Sequence, residues 1–505
     1  MNTVLFNFQL IYLWLMLAFL SVLSISGTIA LRNIIHVCLL LTLGWALVFA
    51  RDRLVCSPLD VLKKVPWPLY AWIGFLILFP LWAVQPDVAL FNLRGQWMEY
   101  ILTWLLAYGA IVVLGSQGPG VWVLALASAV PIFLHLFLTL LAWAGLLMPT
   151  FYADPSLLTL WDSSREIVAS GVLPHWQAFP WEFRGVEPMH GNIGYAASQT
   201  VALSCVSLCI AWRERSAMRI ALSALLTVLC FLSVIIAASR GAVYFGLLLL
   251  VISLLAFVRI EKQLNSKTGA LGSSANAAKL IAVCLVALIS IATFVYMKVR
   301  DDVRWYSMWD KMEIGWTTEN PVDVLCNGLS DSTLKQIKQE YKGKGEEYTH
   351  ALIAGLELQD GGRILLMRAG AQLVLENQRG LDGSRQSYEK LIVEKCGHQP
   401  KLQFAHAHQA WINLALAFGW LGISLFAVVM GYFLLFAWKT ISNQDEWLWA
   451  MALFLISAFW VLRGLADAVY QEHYLQMQAL LLGYLYLRCR VSRSDVEIAI
   501  SQKEA

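Results

Sequence analysis

Long runs of apolar residues alternate with short polar segments along almost the whole chain. Each run is about 15–28 residues long, and a helix needs roughly 20 residues to cross the hydrocarbon core of a bilayer. Because only helices and closed barrels satisfy their backbone in lipid, the pattern predicts an all-α membrane protein with about twelve spans. The spans are expected near residues 9–30, 34–50, 67–84, 97–115, 120–145, 194–212, 219–238, 241–258, 280–297, 411–438, 448–465 and 474–488.

Two longer polar segments interrupt this pattern, at residues 146–193 and 298–407. The second contains an amphipathic stretch over 363–377, in which Leu366 and Leu373 recur at helical spacing. We therefore predict a folded helical cap between spans nine and ten. The chain then divides into 1–297 (spans one to nine, with the polar loop 146–193), 298–407 (the cap), 408–488 (spans ten to twelve) and 489–505 (a tail).

Composition agrees with the membrane class. Hydrophobic residues make up 59% of the 505 residues and charged residues only 14%, which is too few charges to cover a soluble protein of this size. The 22 tryptophans fit the same class, because indole rings favour the membrane interface. A net charge of +3 gives no reason to expect a nucleic-acid partner. No Lys or Arg precedes the first span, so we expect this span to be retained rather than cleaved as a signal peptide.

The Lys and Arg residues of the loops indicate the orientation. If the N-terminus is cytoplasmic, the inside segments carry sixteen Lys and Arg residues. The outside segments before the long polar loop carry four, besides Arg240 at the membrane edge. Cytoplasmic loops carry the excess of positive charge. We therefore expect both termini in the cytoplasm and both long polar segments on the outer face.

Two cysteines, Cys326 and Cys396, lie in the long polar segment. If that segment faces an oxidising compartment, the two thiols can form a disulfide. The bond would close a loop of about 70 residues and stabilise the segment by about 4 kcal/mol in the chain-entropy estimate. The alternative is a pair of free thiols.

Arg240 is the clearest charged residue at a membrane edge. It lies in the corner Ala238–Ser239–Arg240–Gly241–Ala242, with an apolar run on each side. Charges at this depth are costly and mark functional sites, and a guanidinium offers a donor fork suited to phosphate oxygens. The alternative is an arginine that only extends to the interface.

A second motif opens span ten. His406 and His408 precede the apolar run, and Gly419 and Gly422 follow three residues apart. A histidine can act as a general base near neutral pH, and the two glycines allow a close approach of another helix. The alternative for His408 is a packing or surface role. Two histidines also suggest a metal, but they lack a compact set of carboxylates or cysteines beside them, so we expect no metal site.

These motifs resemble those of the O-antigen ligase family, which belongs to a superfamily with O-antigen polymerases and protein O-oligosaccharyltransferases. The ligase signature is His, then Asn, Ser or Gln, nine residues, and Gly-x-x-Gly. In this chain His408–Gln409 is followed by nine residues and by Gly419–Trp420–Leu421–Gly422. Ser239–Arg240–Gly241–Ala242 resembles the Ser-Arg-Gly corner of the family, and Gly362–Arg363 resembles its outer-loop arginine segment. The resemblance covers roughly residues 180–430.

The resemblance implies a fold like that of GT-C glycosyltransferases and a defined reaction. A polysaccharide is transferred from undecaprenyl pyrophosphate to a sugar hydroxyl of lipid A–core, at the periplasmic face of the bacterial inner membrane. His408 would take the proton of the acceptor hydroxyl, and Arg240 and Arg363 would stabilise the departing pyrophosphate. The outer face has no Asp-x-Asp motif, so we expect no metal and no other cofactor, with inversion at the anomeric carbon.

Further residues are weaker candidates for the substrate paths. Those in the polar loop before span six either bind a substrate or form an ordinary loop, and those in the cap either bind acceptor phosphates or form a solvated surface. Arg463 and Asp467 are spaced four residues apart, which is typical of a structural ion pair as much as of a site. The substrate-binding candidates are Arg184, His190, Asn192, Gln409, Arg385 and His406, with Arg368 beside them.

Other functions remain open at this point. An O-antigen polymerase uses the same donor with a second lipid-linked glycan as acceptor, and a protein O-oligosaccharyltransferase uses Ser or Thr. A twelve-span secondary transporter is a different class, but such transporters are usually built of two repeated halves joined in the cytoplasm. The long polar insertion after span nine, facing outward, argues against a transporter.

Overall fold

The regular structure is helical. The computed structural model describes residues 2–25, 27–143, 190–237, 240–268, 307–358, 360–441, 446–470 and 472–491, with six single positions between 282 and 297. Within these ranges there is no β-strand. The α-helices in chain order are α1 (Asn2–Val22), α2 (Ile29–Phe49), α3 (Pro58–Lys64), α4 (Trp67–Leu78), α5 (Pro86–Asn92), α6 (Met98–Leu114), α7 (Val121–Trp143), α8 (His190–Arg213), α9 (Ala217–Ile236), α10 (Arg240–Thr268), α11 (Met308–Thr317), α12 (Pro321–Asn327), α13 (Asp331–Glu340), α14 (Glu346–Leu358), α15 (Asp360–Glu376), α16 (Ser387–Cys396), α17 (Ala410–Thr440), α18 (Trp447–Gly464) and α19 (Glu472–Arg490).

Eight helical segments of the described chain are long and apolar enough to cross a membrane. They are α2, the segment Pro86–Gln117 that contains α5 and α6, α7, α8, α9, α10, α17 and α18. Helices α3 and α4 together pass the same test but are bent by 93°, so they form either a broken ninth span or a re-entrant segment. The all-α membrane class predicted from the sequence is confirmed.

The predicted number of twelve spans is larger than the number found in the described ranges. The apolar part of α1, Phe8–Val22, is shorter than a full span. Only six single positions of the predicted span 280–297 are described. Helix α19 corresponds to the predicted span 474–488 but contains Gln476 and Gln478, both buried. A helix that is enclosed by protein can carry such amides, because its neighbours and not lipid surround it.

Helix α8 lies at the centre of the membrane helices and packs against α7, α9, α10 and α18. Its first half is rich in small residues, among them Ala196, Ala197, Ser198 and Ala202, all of which are buried. Small side chains allow the close helix approach on which packing in lipid depends. Helix α18 also packs against α19, and α19 against α6.

Helix α2 lies at the periphery. Ile34, Leu41 and Val48 follow one another at seven-residue spacing along one face, and they are 60%, 68% and 69% exposed. An apolar stripe of this length is unfavourable in water. It fits a helix face in contact with lipid, so the apolar helices indicate a bilayer environment.

Helices α11–α16 form a separate helical unit with its own apolar core, built around Leu352, Leu365 and Leu366. The unit lies within the segment 298–407 for which the sequence predicts a folded helical cap. A disulfide joins Cys326 at the end of α12 to Cys396 at the end of α16, with the Cα atoms 5.4 Å apart. This is the pairing that the sequence indicates, and it ties two helices that are far apart in the chain.

Replacing Cys326 and Cys396 together with serine is expected to destabilise the α11–α16 unit by about 4 kcal/mol, because the reduced chain gains loop entropy when it unfolds. Thermal unfolding of the purified protein, followed by limited proteolysis of this unit, measures the effect. A Cys38→Ser variant, which changes a free cysteine, should unfold as the wild type does. Equal stability of the double variant and the wild type under oxidising conditions would show that the bond does not constrain the unit.

Candidate functional site

His408 occupies a strained position directly before α17. Its φ angle is 50°, in the left-handed region that few residues other than glycine adopt. Strained backbone of this kind persists only where the surrounding structure enforces it, and it is concentrated at functional sites. The ring of His406 lies 4.2 Å from the ring of His408, so the two predicted histidines are in contact.

The next residue, Gln409, caps the helix. Its side-chain Oε1 accepts a hydrogen bond from the backbone N–H of Ile412 at 2.5 Å, which satisfies one of the free donors of the first helical turn. This oxygen therefore has a structural partner, and the substrate-binding role of Gln409 stays a prediction. The ligase signature allows Asn, Ser or Gln at this position, and all three carry a side-chain oxygen that can form such a cap.

The glycines of the motif break α17 and admit a loop. Gly419 has φ 71° and ψ −173° inside the helix, and the freed backbone groups bond to the segment 378–383 instead. The N–H of Trp420 donates to Gln378 O at 2.9 Å. In return, the N–H groups of Leu381 and Gly383 donate to the carbonyls of residues 416 and 417 at 2.9 and 3.0 Å. The loop thus continues the hydrogen bonding that the helix gives up.

This loop approaches too closely for any side chain. A Cβ atom on Gly419 would lie 2.3 Å from Gln378 O, and one on Gly380 would lie 2.3 Å from the carbonyl carbon of Phe418. Gly422 faces Phe75 of α4, with a Cβ position 2.9 Å from its ring. The close approach predicted for Gly419 and Gly422 is present, but Gly419 admits a loop rather than a helix.

An ion pair between the buried Arg463 and the partly buried Asp467 lies at the end of α18, on the side of His406. Asp467 Oδ2 accepts a hydrogen bond from the hydroxyl of Tyr195 at 2.8 Å and lies 3.4 Å from Arg463 Nη2. The guanidinium of Arg463 stacks over the Tyr195 ring at 4.2 Å. Burial acts to raise the pKa of Asp467, but the charges of Arg463 and Arg363 hold it below its ordinary value. Asp467 therefore stays ionised at neutral pH.

Arg363 lies within electrostatic reach of both His406 and Asp467. Its side chain is exposed at the start of α15, and its charge lowers the pKa of both groups. The structure therefore brings the outer-loop arginine segment to the His motif, although 45 residues separate Arg363 from His408.

His406 is neutral at neutral pH. Burial lowers the pKa of His406 below its ordinary value, Asp467 opposes this shift, and Arg363 and Arg385 add to it. Its Nδ1 accepts a hydrogen bond from the backbone N–H of His408 at 3.3 Å. The neutral ring therefore carries its proton on Nε2 and offers a donor there. This leaves His408 as the better candidate for a base.

Arg240 begins α10, and its side chain lies outside what the structure describes. Five residues later in the same helix, the ring of Phe245 lies 5.7 Å from the guanidinium of Arg463. His190 and Asn192 are in the first turn of α8, before Tyr195, again without described side chains. The starts of α8 and α10 therefore meet at the end of α18. Arg184 lies outside the described residues.

The two arginines expected to meet acceptor phosphates differ. Arg368 donates to the carbonyls of Gly315 and Thr318 at 3.0 and 2.7 Å and so caps the end of α11. Its guanidinium therefore has structural partners, and the phosphate-binding role stays a prediction. Arg385 is exposed and lines a cavity next to the His motif.

Tyr195 was not among the residues that the sequence indicates. It lies 272 residues before Asp467, in an apolar run where one tyrosine is unremarkable, so only the packing of α8 against α18 shows its role.

Among the described residues, no group of three or more His, Cys, Asp or Glu side chains is arranged to hold a metal ion.

No family model matches this chain, and none of the curated proteins matches it. A pair of histidines beside exposed and buried arginines can bind an anionic group and accept a proton from a hydroxyl.

Proposed function

We propose that this chain is a glycosyltransferase that moves O-antigen polysaccharide from undecaprenyl pyrophosphate to lipid A–core, in lipopolysaccharide biosynthesis. One observation supports it most strongly: Arg363, far along the chain from the His408 motif, lies within electrostatic reach of His406 and Asp467. The three segments that resemble the O-antigen ligase family thus belong to one region, because the start of α10 meets the same cluster through Phe245.

The reaction is a single displacement. The acceptor hydroxyl oxygen forms a bond to the anomeric carbon as the bond from that carbon to the pyrophosphate oxygen breaks. The hydroxyl proton passes to His408 as general base, and undecaprenyl pyrophosphate leaves with the bonding electron pair. Attack from the face opposite the leaving group inverts the anomeric carbon. No resident cofactor takes part in these steps.

The departing pyrophosphate needs positive charge, which Arg363 and Arg240 provide as donor forks. Two arginines can meet this need without a metal ion. Asp467 acts on the arginines rather than on the substrate, because its carboxylate pairs with Arg463 and its charge reaches Arg363. It thereby keeps the cationic groups of the site from repelling one another.

The proposed location is the periplasmic face of a bacterial inner membrane, with about twelve spans and both termini in the cytoplasm. The bias of Lys and Arg toward the opposite loops supports this orientation. The disulfide of the α11–α16 unit supports it as well, because disulfides persist in the periplasm and are rare in the cytosol.

Gene deletion in the encoding bacterium tests the reaction class. The deletion strain should lack O-antigen on lipid A–core and accumulate full-length polymer on undecaprenyl pyrophosphate, and wild-type protein should restore the surface polymer. An accumulation of single repeat units instead would assign the chain to the polymerases. Normal lipopolysaccharide together with unglycosylated periplasmic proteins would assign it to the protein O-oligosaccharyltransferases.

A further inference from the structure

A polar cavity of about 400 Å³ lies next to the proposed site. Its walls come from the first turn of α2, the π-helical turn Leu93–Trp97, the start of α19 and the loop 384–386. Neither His408 nor Arg363 contributes to these walls. The cavity therefore needs a separate explanation.

The lining has the chemistry of a site for a sugar with an anionic substituent. It holds two guanidinium groups (Arg32 and Arg385), one carboxylate (Glu99) and one imidazole (His473), so positive charge exceeds negative. Guanidinium groups bind phosphate oxygens in bidentate fashion, and amides offer both donors and acceptors to hydroxyls. The amides of the lining are Asn33, Asn92, Gln96, Gln386 and Gln476.

Two features show that the polar groups are held in place. Arg32 is only 8% exposed, so the charge of its guanidinium is kept out of bulk water. Gln476 Nε2 donates to Glu99 Oε2 at 2.9 Å, which fixes the carboxylate against α19. Buried polar groups that are fixed in advance favour binding of a specific ligand.

The cavity shares part of its lining with a smaller cleft beside the start of α17. Gln96, Ser384 and Arg385 line both this cavity and the smaller cleft, which reaches Asn413 and Ala468. Ala468 is the neighbour of Asp467, and the side chain of Asn413 accepts a hydrogen bond from the backbone N–H next to His408. A ligand in the cavity can thus extend a hydroxyl toward the His motif.

The cavity also opens near lipid. Ile29, part of the lining, is 63% exposed, and Leu31 beside it is 46% exposed. Both lie in the first turn of α2, ahead of its lipid-facing stripe. A ligand that combines an apolar tail with a polar head can therefore enter from the bilayer.

We propose that this cavity binds the acceptor, as a phosphorylated saccharide whose phosphate is held by Arg32 and Arg385. The assignment rests on the proposed function, which requires a second glycan substrate beside the lipid pyrophosphate. Arg363 and Arg240 serve the donor pyrophosphate, and Arg32 and Arg385 form a second pair for a second anionic group. The two pairs thus serve two different anionic groups of the same reaction.

Binding and transfer are measured separately with the full-length protein in phosphatidylcholine nanodiscs. The probe is delipidated, phosphorylated core oligosaccharide, compared with the same oligosaccharide after removal of its phosphates. The phosphorylated form should bind about tenfold more tightly or better, the effect of charge-assisted hydrogen bonds. Arg385→Gln and Arg32→Gln should each remove this difference, and Arg94→Gln, an exposed arginine outside the lining, should retain it.

The outcomes distinguish the cavity from the reaction. Equal binding of the two oligosaccharides to the wild type overturns the cavity assignment even if transfer occurs. An unchanged preference for the phosphorylated form in Arg385→Gln, which changes an exposed side chain, overturns it as well. Displacement of the probe by glycerophosphoglycerol at equal concentration would assign the cavity to a phospholipid headgroup instead. Phosphate-dependent binding without any transfer would leave the cavity assignment intact and refute the proposed reaction.

Discussion

Replacing His408 with alanine is expected to reduce glycan transfer by about 10²–10⁴-fold, the usual contribution of a positioned general base. The donor should still bind, because the arginines that meet its pyrophosphate are unchanged. Transfer by purified protein, measured at saturating donor and acceptor, reports the loss. Donor affinity, measured in the same preparation, should stay within about threefold of the wild type, since the base acts in the transition state.

Backbone strain at His408 requires a second variant. Alanine is disfavoured at the φ of 50° found there, whereas asparagine adopts this region readily. His408→Asn should therefore fold as the wild type does and still lose transfer. His398→Ala changes an exposed histidine of the α11–α16 segment and should keep full activity. Wild-type transfer in the folded His408→Asn variant would rule out the base assignment.

Replacing Gly419 with alanine is expected to destabilise the membrane part by more than about 4 kcal/mol, which is exceptional for one methyl group. The new Cβ would lie 2.3 Å from Gln378 O and 2.5 Å from the carbonyl carbon of Arg379, and both are backbone atoms that cannot move aside. The φ of 71° adds strain for any L residue. Thermal unfolding in detergent and the yield of monodisperse protein measure this effect.

Gly431 of the same helix provides the matched control. A Cβ there meets nothing within 4 Å, and alanine has a higher helix propensity than glycine by roughly 1 kcal/mol. Gly431→Ala should therefore be as stable as the wild type or slightly more so. If Gly419→Ala unfolds at the same temperature as Gly431→Ala, the loop 378–383 is not inserted into α17.

The membrane class could be predicted from the sequence because lipid requires long apolar helices, and composition reports this directly. The number of spans was harder to predict from the sequence. Helix α19 is buried among α6 and α18, so its hydropathy reflects protein neighbours rather than lipid. Helix α4 is bent against α3 by 93°, which an apolar run cannot reveal.

The candidate site was predictable only as separate motifs. His408 and Gly419 belong to one continuous stretch of chain at the start of α17, so their spacing can be read from the sequence. The hydrogen bonds from Leu381 and Gly383 into α17, and the bond from Tyr195 to Asp467, join residues distant in the chain. Such contacts depend on tertiary packing. The cap formed by Gln409 is local, but the sequence analysis gave this residue only as a substrate-binding candidate.

The cavity lined by Arg32 and Arg385 illustrates the same limit. The two residues are more than 350 positions apart in the sequence, and each alone is compatible with a loop or interface arginine. Only the folded chain places them on one cavity. The sequence could indicate Arg385 as a candidate for acceptor phosphates, but it could not identify Arg32 as its partner.

Reconstituted transfer tests the central proposal most directly. Purified full-length protein in nanodiscs is mixed with polymer on undecaprenyl pyrophosphate and with lipid A–core, in excess chelator. We predict polymer-bearing lipid A–core and one released undecaprenyl pyrophosphate per transfer, at the same rate with and without the chelator. Absence of product with active substrates would contradict the proposed reaction, and loss in chelator that a divalent cation restores would contradict its metal-independent mechanism.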